Sequence, residues 1–290
     1  MIKYPFLGVY RGSNPEQVKQ YESWVGAPIS YAVDFIGRDP AKWTIDTPGW
    51  LARKWAATSY RPVISAAMLP NKNYTLEAGA KGDYNDHWKK FGDQLVKNGC
   101  PDAILRLGHE FNGKFFPWSA VSKEQYYAVY WKEIVITLRN VPGQNFLFDW
   151  NPLAGVQSVD VEKAYPGDAY VDIIGLDAYD TALPKHQGKP EQRWEYQLNR
   201  AYGLNWHAAF AEKHKKPMSF PEWSIRFKPD DRISGGDNPY YISNMWKWFK
   251  THNIKYAAYF EDDTNDGVQH RLMTGIAPKA SAEYRRLVQS

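Results

Sequence analysis

A single cysteine, Cys100, in 290 residues leaves no intramolecular disulfide framework and no thiolate cluster for a structural zinc, so the fold must rest on its own packed core. The seven histidines are scattered and form no H-x-x-x-H pair, which removes the usual helical metal signature. Neither a G-x-G-x-x-G turn nor a Walker-type G-K-S/T follows any strand-like run, so a nucleotide enzyme would lack its phosphate cradle. No cofactor and no metal is expected, although E-D-D-T-N-D at residues 261–266 offers the oxygen ligands that calcium takes. The 36 Lys and Arg stand against 32 Asp and Glu, and the net charge of +4 is spread along the chain rather than gathered into runs, so nucleic acid is not an expected partner. No run approaches the ~20 apolar residues of a membrane span. The start, M-I-K-Y-P-F-L-G-V-Y, lacks a charged stretch, a long apolar stretch and a small-residue cleavage site. A soluble monomer is expected, extracellular or periplasmic if a leader has been removed.

Aromatic rings are abundant instead: 13 Trp, 20 Tyr and 13 Phe make up 16% of the chain. Many must fill the core, but flat rings with one polar atom also suit sugar-binding clefts.

Short β-rich runs alternate with helical patterns from end to end. Strands are predicted at 6–10, 29–36, 62–69, 103–110, 145–151, 171–179, 217–222 and 254–260, and helices at 16–25, 50–57, 87–98, 123–139, 194–214, 240–252 and 280–287. In the fourth of these helices Tyr126, Tyr127, Tyr130, Trp131, Ile134 and Leu138 recur at three- and four-residue steps. Several strands are apolar with little alternation, as when both faces are buried, and eight strand-helix units close most naturally into one (β/α)8 TIM barrel spanning residues 1–290. No Ser- or Gly-rich linker divides it. The irregular stretches 69–86, 152–168 and 226–238 follow strands three, five and seven, on the rim where such barrels carry their chemistry.

Polar residues at the strand carboxyl ends are then expected to converge: Asp34, Glu110, Asp149, Asn151, Asp177, Tyr179, Glu222 and Glu261. Glu110 ends an apolar run inside R-L-G-H-E-F-N-G-K-F-F-P-W, residues 106–118, where aromatic neighbours should strip water and raise its pKa, making it a candidate proton donor. Glu222, in S-F-P-E-W-S, ends the strand across the barrel. Glycoside hydrolysis needs two such carboxyl groups, about 5 to 5.5 Å apart for retention with a nucleophile and about 6.5 to 9.5 Å apart for inversion through water. A loop glutamate is ordinarily a solvated one, and the aromatic turn after Glu110 and the constrained P-E-W around Glu222 weigh against that here. His109 could be a core histidine, or could hold substrate hydroxyls or position a carboxylate. Asp177 and Tyr179 could cap the barrel, or hold a nucleophile ionised and oriented. Glu261 is a reserve catalytic candidate. Cys100, at a helix-to-strand turn on the far side, is a poor nucleophile.

The 106–118 segment is similar to the H-E-x-N-G segment of glycoside hydrolase family 26. The run F-D-W-N-P at 148–152, followed by Y-P-G-D-A-Y-V-D-I-I-G-L-D-A-Y at 165–179, resembles that family's W-x-P and Y-P-G-D-x-Y-V-D-x-x-G-x-D-x-Y. The resemblance implies a β-mannanase-like retaining endo-glycanase of clan A, with Glu110 as acid/base and Glu222 as nucleophile. It implies substrate contacts from His109, Trp118, Trp150, Asp177, Tyr179 and Trp223, with Tyr179 touching the nucleophile. The chain departs from the family at E-W-S, where E-F-G is frequent, and at Y-F-E-D-D in place of a final W-x-x segment. The expected substrate is therefore a β-mannan-type glycan or a bacterial exopolysaccharide, held in an open cleft whose aromatic rim, Trp118 and Trp223 included, stacks on sugar faces. A non-catalytic carbohydrate-binding barrel, or a polysaccharide lyase using Tyr179 and His109, are the alternatives.

Overall fold

A computed structural model describes residues 3–37, 39 and 43–290. Nine parallel strands run in the order β6 (Ile173–Gly175), β5 (Leu147–Trp150), β4 (Ile104–Leu107), β3 (Arg61–Ala66), β2 (Tyr31–Ile36), β1 (Leu7–Tyr10), β9 (Ile254–Phe260), β8 (Met218–Ser224), β7 (Ala178–Tyr179). A further pairing of β6 with β8 closes the cylinder. Because β6 and β7 both pair with β8, they are two pieces of one stave, and the barrel is the expected eight-staved one.

Helices cover the outside: α1 (Pro15–Val25), α2 (Gly49–Ala56), α3 (Leu76–Gly79), α4 (Asn85–Lys97), α5 (Glu124–Arg139), α6 (Pro190–Asn199), α7 (Leu204–Lys213), α8 (Pro239–Thr251) and α9 (Pro278–Gln289). Their starts follow capping chemistry. Asn14 accepts from the Glu16 amide at 3.0 Å ahead of Pro15, and Gly26 ends α1 in the left-handed region. The single helix expected over 194–214 is in fact two. Tyr202 sits at φ 48°, and a Cβ on Gly203 would come within 2.6 Å of the Gln197 carbonyl, so the chain turns sharply between α6 and α7. Cys100 is buried and donates to the Ala52 carbonyl; burial pushes its thiol up to about 11, so it is no nucleophile at neutral pH.

Strand alternation divides the core in two. Side chains facing out pack in a large layer against the helices, whereas Val33, Val63, Ile104, Ile173, Tyr256 and Ala258 fill the barrel's lower interior. Further along several strands the inward positions become polar: Ser65 follows Val63, Arg106 follows Ile104, and Asp177 lies two beyond Gly175. This polar layer closes the top of the apolar plug. Gly175 makes room for it, since a Cβ there would lie 2.4 Å from Asp149 Oδ1 and 2.9 Å from Ser219 Oγ.

Gly175→Ala is expected to destabilise the barrel by about 1–3 kcal/mol through overpacking of the polar layer. Denaturant unfolding checks this, and an unchanged midpoint would mean that the layer yields freely.

Candidate active site

Two backbone irregularities aim the two candidate glutamates. Between β8 and β9 the register pairs Phe220 with Ala257 and Trp223 with Tyr259, so β8 carries one extra residue at Pro221-Glu222. That bulge, at a proline that could not continue the ladder, turns Glu222 inward while Phe220 and Trp223 both face out. Past β4, Gly108 (φ 50°) and Glu110 (φ 52°) both adopt left-handed conformations. A Cβ at Gly108 would strike the Met68 sulfur at 2.4 Å. A non-glycine residue at positive φ is strained, and here the strain is held by hydrogen bonds from the Glu110 amide to the Asn151 carbonyl and from the Gly113 amide to the Glu110 carbonyl, each 2.9 Å.

Arg106 is the centre of the site. Fully buried, it donates through Nη1 to Glu222 Oε1 (2.6 Å) and Ser65 Oγ (3.0 Å), through Nη2 to Asp177, and through Nε to Asn151. Burial would lower its pKa, but the charges of Asp177 and Glu222 more than reverse that, so it stays protonated. One positive charge faces two carboxylates. Burial, opposed by Arg106 and reinforced by Glu222, raises Asp177 well above the ordinary carboxylate range. Tyr179 donates its hydroxyl to Glu222 Oε2. Burial, then the charges of Glu222, Asp177 and Glu110, push that phenol well above 10.

Glu110 and Glu222 line the same cleft, of about 900 Å³, together with His109 and Tyr179. Glu110 is half-buried and Glu222 is 6% exposed. A second groove adjoins the first and shares Tyr10, Glu110, Phe116 and Phe260 with it, so the depression runs past Glu110 on both sides. His109 lies under this floor, with the rings of Phe116 (4.8 Å), Trp118 (5.3 Å) and Phe35 (5.5 Å) around it.

The tryptophans depart from expectation. Trp150 and Trp223 follow the inward residues Asp149 and Glu222, so alternation sends them outward into the helix layer: Trp150 packs on Phe111 and Phe210, Trp223 on Phe249 and Tyr284. Neither can stack on a sugar. Trp118 is 2% exposed; it stacks on Phe116 at 4.5 Å, donates to the His109 carbonyl, and borders the second groove. The Phe and Tyr rings that line the cleft are Tyr10, Phe35, Phe116, Tyr179, Tyr196 and Phe260.

Two of the strand-end acids are elsewhere. Asp34 points out of the barrel, bonded by Trp55 Nε1 at 2.8 Å and by Ser13. Glu261 is fully buried, lines neither groove, and accepts the Leu272 and Met273 amides at 2.8 and 2.9 Å; burial pushes it up to about 7. It fastens the last loop to the barrel, which removes it as a reserve catalyst. Asp263 and Asp266 bond amides of their own loop, and among the described residues no group of three His, Cys, Asp or Glu is placed to hold a metal.

The sequence reading did not single out Arg106, whose signal was a lone cation inside the apolar run A-I-L-R-L. It also missed His270, 4% exposed on the cleft wall, which bonds Ser224 and the Ile225 carbonyl and whose ring lies 5.2 Å from that of Tyr179.

Residues 72–213 match the model of glycosyl hydrolase family 26. Over 293 aligned residues, 97% of this chain, the sequence is 26% identical to Endoglucanase H of Acetivibrio thermocellus, covering 30% of that protein. Over 84 residues, 27% of the chain, it is 40% identical to a mannan endo-1,4-beta-mannosidase of Bifidobacterium adolescentis, covering 8% of it. The chain thus spans less than a third of either relative. Among solved structures, GH26C from Muricauda sp. MAR_2010_75 superposes with a TM-score of 0.70 at 16% identity, over 98% of this chain and 85% of that one.

Asp149 supplies a test of the polar layer. Burial raises its carboxyl from 3.8 to about 6, against lowering hydrogen bonds from Ser219 and Tyr256. The folded state therefore holds this proton more tightly than the unfolded chain. The resulting stability is full below about pH 4 and is lost as pH rises through 6, by up to about 3 kcal/mol. Asp149→Asn is expected to remove that slope; unfolding free energies of both proteins between pH 4 and 7 that run parallel would refute it.

Proposed function

The chain belongs to glycosyl hydrolase family 26, and from that premise we propose that it hydrolyses β-glycosidic bonds of a polysaccharide by double displacement with retention. Glu222 attacks the anomeric carbon while Glu110 protonates the departing oxygen; Glu110 then takes a proton from the water that releases the sugar. Two inversions give net retention.

The observation that carries this reading is the setting of Glu222. Arg106 and Tyr179 each donate to a different one of its oxygens, which holds the carboxylate in one orientation for attack. Glu110 lines the same cleft as Glu222, half-buried, where a carboxyl group can meet a glycosidic oxygen and exchange a proton with it. The lyase alternative fares worse. It needs Tyr179 as a base near neutral pH, whereas burial and three nearby acids raise that phenol well above 10. A purely binding barrel would have no use for a buried arginine spent on orienting a second carboxylate. The names of the two relatives, an endoglucanase and a mannan endo-1,4-beta-mannosidase, favour a β-linked glucan or mannan backbone, with internal cleavage.

Glu222→Ala is expected to abolish turnover of mannan and glucan substrates, and added azide to yield a glycosyl azide of inverted anomeric configuration; product NMR reads both. An azide product with unchanged configuration, or a wild-type product of inverted configuration, would remove Glu222 as nucleophile. Tyr179→Phe deletes one charge-assisted hydrogen bond and should lower kcat about ten- to a hundred-fold, with KM little changed; a kcat equal to wild type would show that the phenol only packs.

A further inference from the structure

One wall of the first groove carries an arginine that no carboxylate answers. Arg200 follows the last residue of α6, and its Nη1 donates to Thr181 Oγ1 at 2.8 Å. Among the described residues it forms no ion pair, and its buried Nε has no hydrogen-bond partner. Asp180 is the acid whose charge reaches it, but Asp180 is already held by two bonds from Arg193, at 2.8 and 3.1 Å, and one from Asn238 at 2.7 Å. The other arginine on this wall, Arg226, differs: it is paired with Asp231 and bonded to Ser234.

Arg200 lines the groove beside Gly155, which at φ 85° lies so close to the guanidinium that a Cβ would come within 3.2 Å of Nη1. Leu183 and Ile233, 41% and 39% exposed, line the same groove. Burial, joined by the charge of Arg193, lowers the Arg200 pKa against the opposing pull of Tyr241, Tyr196 and Asp180, so its charge is only partly compensated. A planar guanidinium on the wall of a glycan-sized groove, set among apolar side chains and without a carboxylate partner among the described residues, matches a carboxylate.

We propose that Arg200, with Thr181, forms a subsite for a carboxylate carried by the glycan, as a ring uronate or as an acidic substituent on a neutral sugar; the proposal rests on the glycan-binding reading of this cleft. Thr181 is two residues beyond Tyr179, so the subsite serves a sugar near the scissile bond rather than a remote end of the chain.

Calorimetry in a Glu110→Gln background separates binding from cleavage. The probes are three β-1,4-linked tetrasaccharides: one bearing a glucuronate, the same chain with that carboxyl reduced, and one bearing a pyruvate ketal on a neutral sugar. At least one acidic probe is expected to bind about 10- to 100-fold more tightly than the reduced one, and which does so identifies the source of the carboxylate. Adding Arg200→Gln should erase that preference while leaving the reduced probe within about twofold; Arg200→Lys should keep part of it. Raised salt should weaken the acidic probe selectively in the protein that retains Arg200, which guards against a variant that misfolds. No acidic preference, a preference that survives Arg200→Gln, or equal weakening of all probes overturns the subsite. Hydrolysis of the acidic and neutral chains by the intact enzyme is scored separately: cleavage without acidic preference sinks the subsite alone, and acidic preference in binding with no cleavage of any chain sinks the hydrolase reading alone.

Discussion

Everything at the mouth of this barrel is arranged about the buried charge of Arg106. A guanidinium removed from water must be matched by acceptors, and it finds them on three other staves: Asn151 after β5, Asp177 between β6 and β7, and Glu222 on β8. Removing either carboxylate would leave charge uncompensated in a low-dielectric interior, a loss on the order of 3–5 kcal/mol. The same constraint that holds the staves together thus fixes the position of Glu222. Burial raises Asp177 against the pull of Arg106, and the neighbouring Glu222 raises it further, while Glu222 gains a second donor in Tyr179.

Around this core the backbone departs from regularity at the places where a side chain must be re-aimed. The bulge at Pro221 and Glu222 puts the carboxylate inside and keeps Trp223 in the helix layer. The left-handed turn at Gly108 and Glu110 lifts the second carboxylate off the end of β4 onto the cleft floor. Both distortions are paid for by neighbours: a packed tryptophan and tyrosine layer in one case, backbone hydrogen bonds to Asn151 in the other. Aromatic residues serve two separate purposes here. Most tryptophans stiffen the shell, and phenylalanines and tyrosines on inward positions face the groove.

Strand-helix alternation and the periodicity within each segment were enough to read eight staves in order, because burial on both faces leaves an apolar run that survives any loop variation. The helix break at Tyr202 and Gly203 was not read, since an isolated Gly in a helical pattern is a weak signal beside the continuing apolar period. The acids and Tyr179 could be located at strand ends, but period-two alternation was not applied to their neighbours; counted from an inward Asp149 and Glu222, it turns Trp150 and Trp223 outward.

What the sequence determined alone is therefore the set of staves, the segments that meet at their carboxyl ends, and, through the 106–118 and 148–179 motifs, the family. Only the tertiary structure decided which of those side chains share a space. Facing is set by bulges, left-handed turns and the closure of β6 onto β8, and those depend on contacts between residues as far apart as 106 and 222. Arg106 illustrates the limit. One cation in an apolar strand carries no meaning by itself, and acquires it when three distant strands bring it their oxygens.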